Sequence, residues 1–149
     1  MKQQFVREWM TSNPVTIEAR STLADARTMM REFRIRRLPV VHEGTLVGIL
    51  TMGDLHIAEL TDALAESGTE FGEMVTQFHF VEDVMTQSPL TVAIDAPLEQ
   101  AITILIAYKI GGLPVVDDGK LIGIITETDI YRALKQFADL PPDVLKSTR

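Results

Sequence analysis

Residues 36–54 read RRLPVVHEGTLVGILTMGD, and residues 111–129 read GGLPVVDDGKLIGIITETD. The second stretch repeats the first at a constant offset of 75 residues, and the match extends back to residues 10 and 85 without a gap. Eighteen positions are identical between residues 10–54 and 85–129. We therefore expect two copies of one backbone. Because a copy of about 45 residues is too small to bury a core alone, we expect the copies to pack on one another.

Each stretch predicts a β-hairpin that leads into a helix. The run Leu-Pro-Val-Val is rich in β-branched residues, and its proline suits the start of a strand. Glu43-Gly44 and Asp118-Gly119 are typical of tight hairpin turns, and apolar return strands follow them. The next helix is expected to begin at Thr51 in the first copy and at Thr126 in the second.

A strand and a helix are predicted ahead of each hairpin. The strand lies at residues 15–17 and 90–92. Ser21 or Thr22 can cap the helix, whereas the second copy has Pro97 near the first turn. The order β-α-β-β-α occurs twice, which predicts an α/β (α+β) fold of two pseudo-symmetric repeats packed as one module. The helix of the first copy is indicated by an apolar stripe that comprises Leu23, Ala26, Met30 and Phe33.

The segment between the copies sets the domain organisation. The second helix of the first copy is expected to continue through Leu64, and residues 66–69 predict a break. Residues 70–83 fit either a helix or an extended linker. We assign repeat 1 to residues 5–60, a helical or linker segment to 61–83, repeat 2 to 84–137 and a flexible tail to 138–149.

The composition of the chain excludes several classes of function. Of 149 residues, 46% are hydrophobic, which suffices for a folded core, and the net charge is −7. This acidic balance argues against binding of nucleic acid or of an anionic membrane surface. The absence of cysteine excludes disulfides, thiolate catalysis and cysteine-ligated metals. Since no apolar stretch reaches the ~18 residues of a membrane span and the first residues lack a signal-peptide core, we expect a cytoplasmic protein.

Three motifs occur in the same order in both copies and carry a resemblance to a known family. They are Met-Thr-x-x-Pro-x-Thr from residues 10 and 85, Leu-Pro-Val-Val from 38 and 113, and Gly-Ile-x-Thr-x-x-Asp from 48 and 123. Each copy resembles a CBS domain, and the tandem pair resembles a Bateman module. Residues 110–130 are similar to stand-alone CBS proteins of the acetoin-utilisation type, here without the ACT domain that some of them carry.

The resemblance implies a regulatory protein rather than an enzyme. CBS pairs have two clefts between the repeats, which hold adenosine-containing ligands such as AMP, ADP, ATP or S-adenosylmethionine. Such a ligand would be regulatory, and no cofactor would be required. Because no enzyme or channel is attached, we expect a signal to a separate protein. The alternative is a structural or adaptor homodimer whose clefts are degenerate and unoccupied.

The resemblance also implies which residues form the two clefts. Each cleft would combine the Thr-x-x-Asp motif of one copy with the early strand and the Leu-Pro strand of the other. The first cleft would contain Val15, Thr16, Arg36, Arg37, Leu38, Pro39, Thr126, Thr128 and Asp129. The second cleft would contain Thr51, Gly53, Asp54, Leu90, Thr91, Ile110, Gly111, Gly112, Leu113 and Pro114.

The Thr-x-x-Asp motif has two interpretations. A carboxylate offers two oxygens and about four lone-pair sites to the hydroxyls of a ribose, and the start of a helix suits a phosphate. The same spacing is close to a capping box, in which Thr51 or Thr126 caps the helix and the acid is its third residue. The spacing alone favours the cap and the repeat context favours ribose binding, and one residue can do both.

The two predicted clefts differ in charge. Arg36-Arg37 lies in the first cleft, and a guanidinium suits bidentate contact with a phosphate. Gly111-Gly112 replaces it in the second cleft and supplies no charge. We therefore predict a phosphorylated ligand in the first cleft, and a less charged adenosyl ligand or none in the second. The nearby Arg31 and Arg34 fit a solvated helix end better than a binding role.

Metal and catalytic sites are not predicted. His42, His56 and His79 lie far apart without the spacing of metal ligands. No nucleophile elbow, phosphate-binding glycine loop or pair of acids at catalytic spacing is found, so no catalytic residue is predicted.

One further difference between the copies concerns assembly. Arg27 and Arg31 in the first copy are replaced by Ile102 and Ile106 in the second. These positions are four residues apart on one helix face, so the apolar arc is wider in the second copy. Either residues 55–83 cover this arc within the chain, or a second chain covers it. We favour the second chain and predict a homodimer.

Overall fold

The structure is a computed structural model that describes residues 2–74 and 78–138. The described residues fall into two compact units. The repeat-1 unit contains Asn13–Leu90 and Asp118–Leu121. The repeat-2 unit contains Thr91–Asp117 and, among the described residues, also 2–12 and 122–138. Each unit has its own core of buried hydrophobic side chains.

The predicted order of elements is found in both repeats, and short elements precede each one. The strands are β1 (Thr11–Ser12), β2 (Ile17–Glu18), β3 (Arg37–His42), β4 (Thr45–Thr51), β5 (Thr86–Gln87), β6 (Val92–Ala93), β7 (Gly112–Asp117) and β8 (Lys120–Thr126). The helices are α1 (Leu23–Phe33), α2 (Met52–Ala65), α3 (Glu70–Met74), α4 (Val81–Val84), α5 (Leu98–Tyr108) and α6 (Glu127–Ala138), with a 3-10 turn at Val6–Glu8. The predicted fold class, mixed α and β in two repeats, is confirmed.

Each unit contains one four-stranded sheet. The strand orders are β2-β3-β4-β5 in the repeat-1 unit and β1-β8-β7-β6 in the repeat-2 unit. β2 lies parallel to β3, and β6 lies parallel to β7. The remaining strand of each sheet comes from the chain in front of the other repeat, since β5 pairs with β4 and β1 pairs with β8. The assigned boundaries place β1 in repeat 1 and β5 in repeat 2, whereas the compact units group each of these strands with the sheet that it joins.

Two glycines allow these edge strands to approach. A Cβ atom at Gly48 would lie 2.9 Å from the carbonyl oxygen of Thr86 and against the sulfur of Met85. A Cβ atom at Gly123 would lie 3.0 Å from the carbonyl oxygen of Thr11. Glycine is therefore needed where another backbone passes this closely. This contact explains why the Met-Thr motif accompanies the Gly-Ile motif in both copies.

The hairpin turns are as predicted. Glu43 and Gly44 have φ angles of 48° and 79°, and Asp118 and Gly119 have φ angles of 49° and 77°. Positive φ at both central residues is typical of a type I′ turn, whose twist matches that of the flanking strands. The two repeats thus use the same turn to connect β3 to β4 and β7 to β8.

The chain in front of each repeat docks in the same way. The Val6 amide donates to the Ala96 carbonyl at 2.9 Å, and the Val81 amide donates to the Ser21 carbonyl at 2.9 Å. Both valines are fully buried. The sequence signal is the dipeptide Phe-Val, which begins at residues 5 and 80 and extends the repeat upstream of residues 10 and 85. Residues 70–83, predicted as either a helix or an extended linker, contain the short helix α3 and most of α4, and residues 75–77 lie outside the described residues.

Several local predictions need correction. The early strands β2 and β6 begin at Ile17 and Val92, two residues later than predicted. Of the two predicted caps of α1, the structure selects Thr22, whose hydroxyl accepts a hydrogen bond from the Asp25 N–H at 3.1 Å. Phe33 does not belong to the core, since it is 54% exposed. Phe33 lies within about 20° of the buried Ala26 around the helix axis, but it is the last residue of α1, so its exposure reflects its place at the helix end rather than its angle.

The ends of two helices bear on the remaining predictions. α2 continues through Leu64 to Ala65 and ends at Glu66, as expected. The tail predicted to be flexible begins in the last residue of α6, and residues 139–149 lie outside the described residues. In the described part of the chain, the helices are too short or too polar to cross a membrane.

Candidate functional site

In the repeat-1 unit, the Thr-x-x-Asp motif forms the start of α2. The Thr51 backbone N–H donates to Asp54 Oδ2 at 2.8 Å, and the Asp54 N–H donates to Thr51 Oγ1 at 3.2 Å. This reciprocal pair is a capping box that satisfies two backbone donors at the helix start. Among the described residues, no hydrogen bond or ion pair reaches the other carboxylate oxygen, Asp54 Oδ1.

In the repeat-2 unit, Asp129 holds the same position at the start of α6 in a different environment. It is 2% exposed and is the only buried polar or charged residue among those described. Its Oδ2 accepts from the Thr126 N–H at 2.8 Å and from the Thr126 hydroxyl at 3.3 Å. Its Oδ1 pairs with Nη2 of Arg132, whose side chain is 61% exposed. Both oxygens of this carboxylate are therefore engaged.

The capping interpretation of the motif is confirmed at Thr51 and Asp54, while ribose binding stays a prediction. The cap and a ligand do not exclude each other, because each carboxylate oxygen has two lone-pair sites. The N–H groups and the dipole at a helix start also favour an anion. The arrangement can accept hydroxyl donors at the carboxylate and an anion at the neighbouring backbone.

The Leu-Pro strand of repeat 1 lies beside the motif in the same unit. Arg37 is opposite Thr51 in the antiparallel register of β3 and β4, and the Arg36 carbonyl accepts the Met52 N–H at 2.9 Å. Arg36 is exposed, Arg37 is half-buried, and Leu38 and Pro39 are buried. The backbone therefore places two arginines next to the start of α2.

The Leu-Pro strand of repeat 2 has the same backbone contact and no cation. The Gly111 carbonyl accepts the Glu127 N–H at 3.0 Å. Ile110 and Gly111 are half-buried, and Gly112, Leu113 and Pro114 are buried. The cation that accompanies the motif in this unit is Arg132, which comes from the helix rather than from the strand.

The other predicted site residues lie in front of the early strands and in the first helical turns. Val15 and Thr16 are half-buried before β2, and Leu90 and Thr91 are exposed before β6. Gly53 and Thr128 are exposed, and a Cβ atom at Gly53 would meet only Thr51 Oγ1, at 3.6 Å. Steric fit therefore does not require glycine at residue 53.

The structure brings some of the predicted residues together and leaves the rest open. Each unit unites the Leu-Pro strand and the Thr-x-x-Asp motif of its own repeat. The predicted clefts instead combine these motifs from different repeats, so the two residue sets stay predictions. His42, His56 and His79 are exposed, and within residues 2–74 and 78–138 no group of three acidic or histidine side chains could hold a metal ion.

A second candidate surface is an apolar groove between α5 and α6 in the repeat-2 unit. Ile106, Tyr131 and Leu134 are 71%, 63% and 56% exposed there. Ile106 is therefore exposed among the described residues, and its cover, by residues 55–83 or by a second chain, stays a prediction. The groove has a volume of about 480 Å³ and is lined by Ile102, Leu105, Ile106, Lys109, Ile110, Glu127, Ile130, Tyr131 and Leu134.

The corresponding helices of repeat 1 are joined by an ion pair. Arg27 Nη2 on α1 lies 2.5 Å from Glu59 Oε1 on α2, and both side chains are partly exposed. At an offset of 75, these two positions are Ile102 and Leu134. The widened apolar arc predicted for the second copy is therefore matched by a second apolar replacement on the neighbouring helix.

A family model decides the relationship of this chain. The model of the CBS domain matches residues 6–60 and 81–136. The chain belongs to the CBS domain family. Both matched ranges include a Thr-x-x-Asp motif, so each CBS repeat carries its own. A CBS domain-containing protein of Dictyostelium discoideum is 34% identical over 141 residues, which are 93% of this chain and 97% of that protein.

Solved CBS pairs share the fold. The CBS domain pair of protein MJ0100, in complex with 5′-methylthioadenosine and S-adenosyl-L-methionine, aligns with a TM-score of 0.75 and 28% identity over 88% of this chain and 99% of that chain. CBSX2 in complex with AMP aligns with a TM-score of 0.74 and 33% identity, over 91% of this chain and 98% of that chain. AcuB of Vibrio cholerae, a putative acetoin utilization protein, aligns with a TM-score of 0.75 and 29% identity, over 99% of this chain and 100% of that chain. The resemblance to a tandem CBS pair of this type is confirmed.

Longer relatives match this chain over a part of their length. The inosine-5′-monophosphate dehydrogenase of Korarchaeum cryptofilum is 36% identical over 126 residues, but the chain spans only 23% of that enzyme. The similarity therefore concerns its CBS region, and the activity of the whole enzyme does not transfer.

Two features of the site were not predicted from the sequence. One is Arg132, for which a signal exists, because an acid and a base three residues apart meet on a helix surface. The first copy lacks this pair, since Ile57 holds the position of Arg132. The other is the Arg27–Glu59 pair, which lies on two helices and has no local spacing that would reveal it.

Proposed function

We propose that this protein is a cytoplasmic, non-catalytic regulatory module that binds an adenosine-containing ligand between its CBS repeats and signals to a separate protein. The observation that carries the proposal is the acid held at a helix start in both repeats. The same bond, from the threonine N–H to the aspartate Oδ2 at 2.8 Å, occurs at Asp54 and at Asp129. A carboxylate fixed in this way is ready to accept ribose hydroxyls without further ordering.

The class of ligand is supported by the solved relatives. CBSX2 is in complex with AMP, and the MJ0100 pair is in complex with 5′-methylthioadenosine and S-adenosyl-L-methionine. These ligands share an adenosyl group with two ribose hydroxyls and differ in charge. Arg36-Arg37 favours a phosphorylated ligand in the cleft that includes Asp129, and Gly111-Gly112 favours a less charged ligand in the cleft that includes Asp54.

Regulation requires that the ligand prefer one arrangement of the repeats. A ligand shifts such an equilibrium only by the difference between its affinities for the two states. Each proposed cleft takes one half from each repeat, so ligand binding would couple their positions. The separate target protein would distinguish the two arrangements.

Thermal unfolding against a ligand panel tests the proposal. The panel contains AMP, ADP, ATP, S-adenosylmethionine, NADH and GTP, each with and without magnesium. A ligand at ~100 times its dissociation constant adds about 2.7 kcal/mol. At roughly 2–4 °C per kcal/mol for a chain of this size, we expect a Tm increase of about 5–10 °C. Asp54→Asn/Asp129→Asn should abolish it. If no adenosyl compound raises the Tm of the unchanged chain, the proposal is wrong.

We further propose that the α5–α6 groove forms the interface of a homodimer. A two-fold interface presents the same surface twice, so an apolar groove can cover its own copy. Lys109 and Glu127 line the groove with opposite charges, which lets each lysine face the glutamate of the partner. A dimer without any ligand-induced Tm shift would support the alternative, an adaptor homodimer with unoccupied clefts.

A further inference from the structure

The two aspartates of the proposed site differ in how much of their hydrogen-bonding capacity is free. A carboxylate has about four lone-pair sites. Asp129 uses three of them, for the Thr126 N–H, the Thr126 hydroxyl and Arg132. Asp54 uses one, for the Thr51 N–H. A ribose offers two hydroxyl donors, so Asp54 can accept both as it stands, whereas Asp129 can accept only one while Arg132 remains in place.

Arg132 is placed so that a ligand can displace it. Its side chain is 61% exposed, so the guanidinium can move into water, while the carboxylate that it leaves is only 3% exposed. A pair with one exposed partner is weaker than a buried pair, which keeps displacement within reach of a ligand. A guanidinium that has lost a carboxylate retains five N–H donors, and a phosphate matches them in charge and in bidentate geometry.

We infer that Arg132 selects phosphorylated nucleosides at Asp129. Arg132 competes with the ribose for Asp129, and the phosphate of the incoming nucleotide becomes its new partner. A nucleoside without phosphate also has to displace Arg132 from Asp129, but it provides no new hydrogen-bond partner for the guanidinium. The corresponding residue Ile57 neither competes for Asp54 nor binds a phosphate, so Ile57 adds no preference for either ligand at Asp54. This inference rests on the proposed adenosyl-binding function.

The test compares AMP with adenosine in chains that retain a single aspartate. Asp54→Asn leaves the Asp129 site, and isothermal titration gives the dissociation constants of both ligands. We expect Arg132→Ala in this background to lower the preference for AMP over adenosine by about tenfold or more, since a charge-assisted bond is lost for one ligand and a competitor is lost for the other. Arg132→Lys keeps the charge and should retain part of the preference.

A matched pair of variants in repeat 1 controls for general effects. In the Asp129→Asn background, Ile57→Ala should leave the AMP preference unchanged, and Ile57→Arg should increase it. The inference is overturned if Arg132→Ala changes the affinities for AMP and adenosine equally or not at all. If the unchanged chain binds neither ligand, the adenosyl-binding function itself fails. If the unchanged chain binds AMP but the Asp54→Asn chain does not, while the Tm values of the two unliganded chains match, the ligand binds at Asp54 and only the inference about Arg132 is overturned.

Discussion

The repeat-1 and repeat-2 units share a backbone and differ in the groups placed upon it. Both have the same type I′ turn, the same glycine under an edge strand and the same threonine–aspartate bond at a helix start. Repeat 1 closes its helix pair with the Arg27–Glu59 ion pair, whereas repeat 2 has Ile102 and Leu134 there. The shared positions maintain the fold, and the divergent positions lie on the surfaces that we propose for ligand and partner binding.

The largest effect is expected when the helix pair of repeat 2 is given the polar pair of repeat 1. The double substitution Ile102→Arg/Leu134→Glu reproduces the pair Arg27 and Glu59, and it replaces two apolar side chains that line the groove by charged ones. We expect the dissociation constant of the homodimer to increase by about 100-fold or more, because burying these charges in an interface is costly. Sedimentation equilibrium measures the change.

A control for this variant is available on the other repeat. Leu60 is 63% exposed on α2, so Leu60→Glu adds charge to an exposed apolar position outside the groove. This chain should remain dimeric. A dimer that survives Ile102→Arg/Leu134→Glu unchanged would remove the groove from the interface.

The next effect concerns a feature that both units share. Gly123→Ala places a Cβ atom 3.0 Å from the Thr11 carbonyl, and Gly48→Ala places one 2.9 Å from the Thr86 carbonyl. Each should lower the free energy of unfolding by about 1–3 kcal/mol, as overpacking does elsewhere. Gly53→Ala is the matched control, since its Cβ atom has room and alanine favours a helix. Urea unfolding that ranks Gly53→Ala with the other two would contradict the close-approach account.

The smallest effect concerns the helix cap. Thr51→Ala removes the acceptor of the Asp54 N–H, which lies 3.2 Å from the hydroxyl. We expect a loss of about 1 kcal/mol in the free energy of unfolding, the usual cost of an N-cap. Thr51→Ser keeps the hydroxyl and should restore most of it. The same loss for alanine and serine in denaturant titrations would show that the cap contributes nothing measurable.

The sequence predicts most of the fold because each local signal has a local cause. Gly44 and Gly119 mark turns that need positive φ, and Thr51 and Asp54 form a contact between residues three apart. Such signals can be recognised in the sequence without knowledge of the tertiary structure. Phe33 shows where a stripe of apolar residues is a poor guide, because this position shares the angle of the buried stripe but is the last residue of α1.

The parts that were not predicted depend on contacts between distant segments. The pairing of β1 and β5 with the sheets of the other repeats produces no pattern of spacing in the sequence, because Thr11 and its partner Ile124 are separated by most of the chain. The Arg27–Glu59 pair was not predicted for the same reason, because its two residues lie on different helices. Within the candidate site, the sequence identifies Asp54 and Asp129 as equivalent. The spacing of Asp129 and Arg132 allows a local ion pair, and the structure adds that the carboxylate in this pair is buried.

Asp129 is the residue on which the proposed binding of AMP depends most directly. Isothermal titration of AMP into the unchanged chain, Asp129→Asn and Asp54→Asn tests it, with the Tm of each unliganded chain as control. We predict that Asp129→Asn loses at least about tenfold in AMP affinity, which corresponds to the loss of a hydrogen bond to a charged group. Asp54→Asn should retain tight AMP binding. If Asp129→Asn binds AMP as the unchanged chain does, or if it loses stability and affinity in equal measure, Asp129 is a helix cap and not a ligand-binding residue.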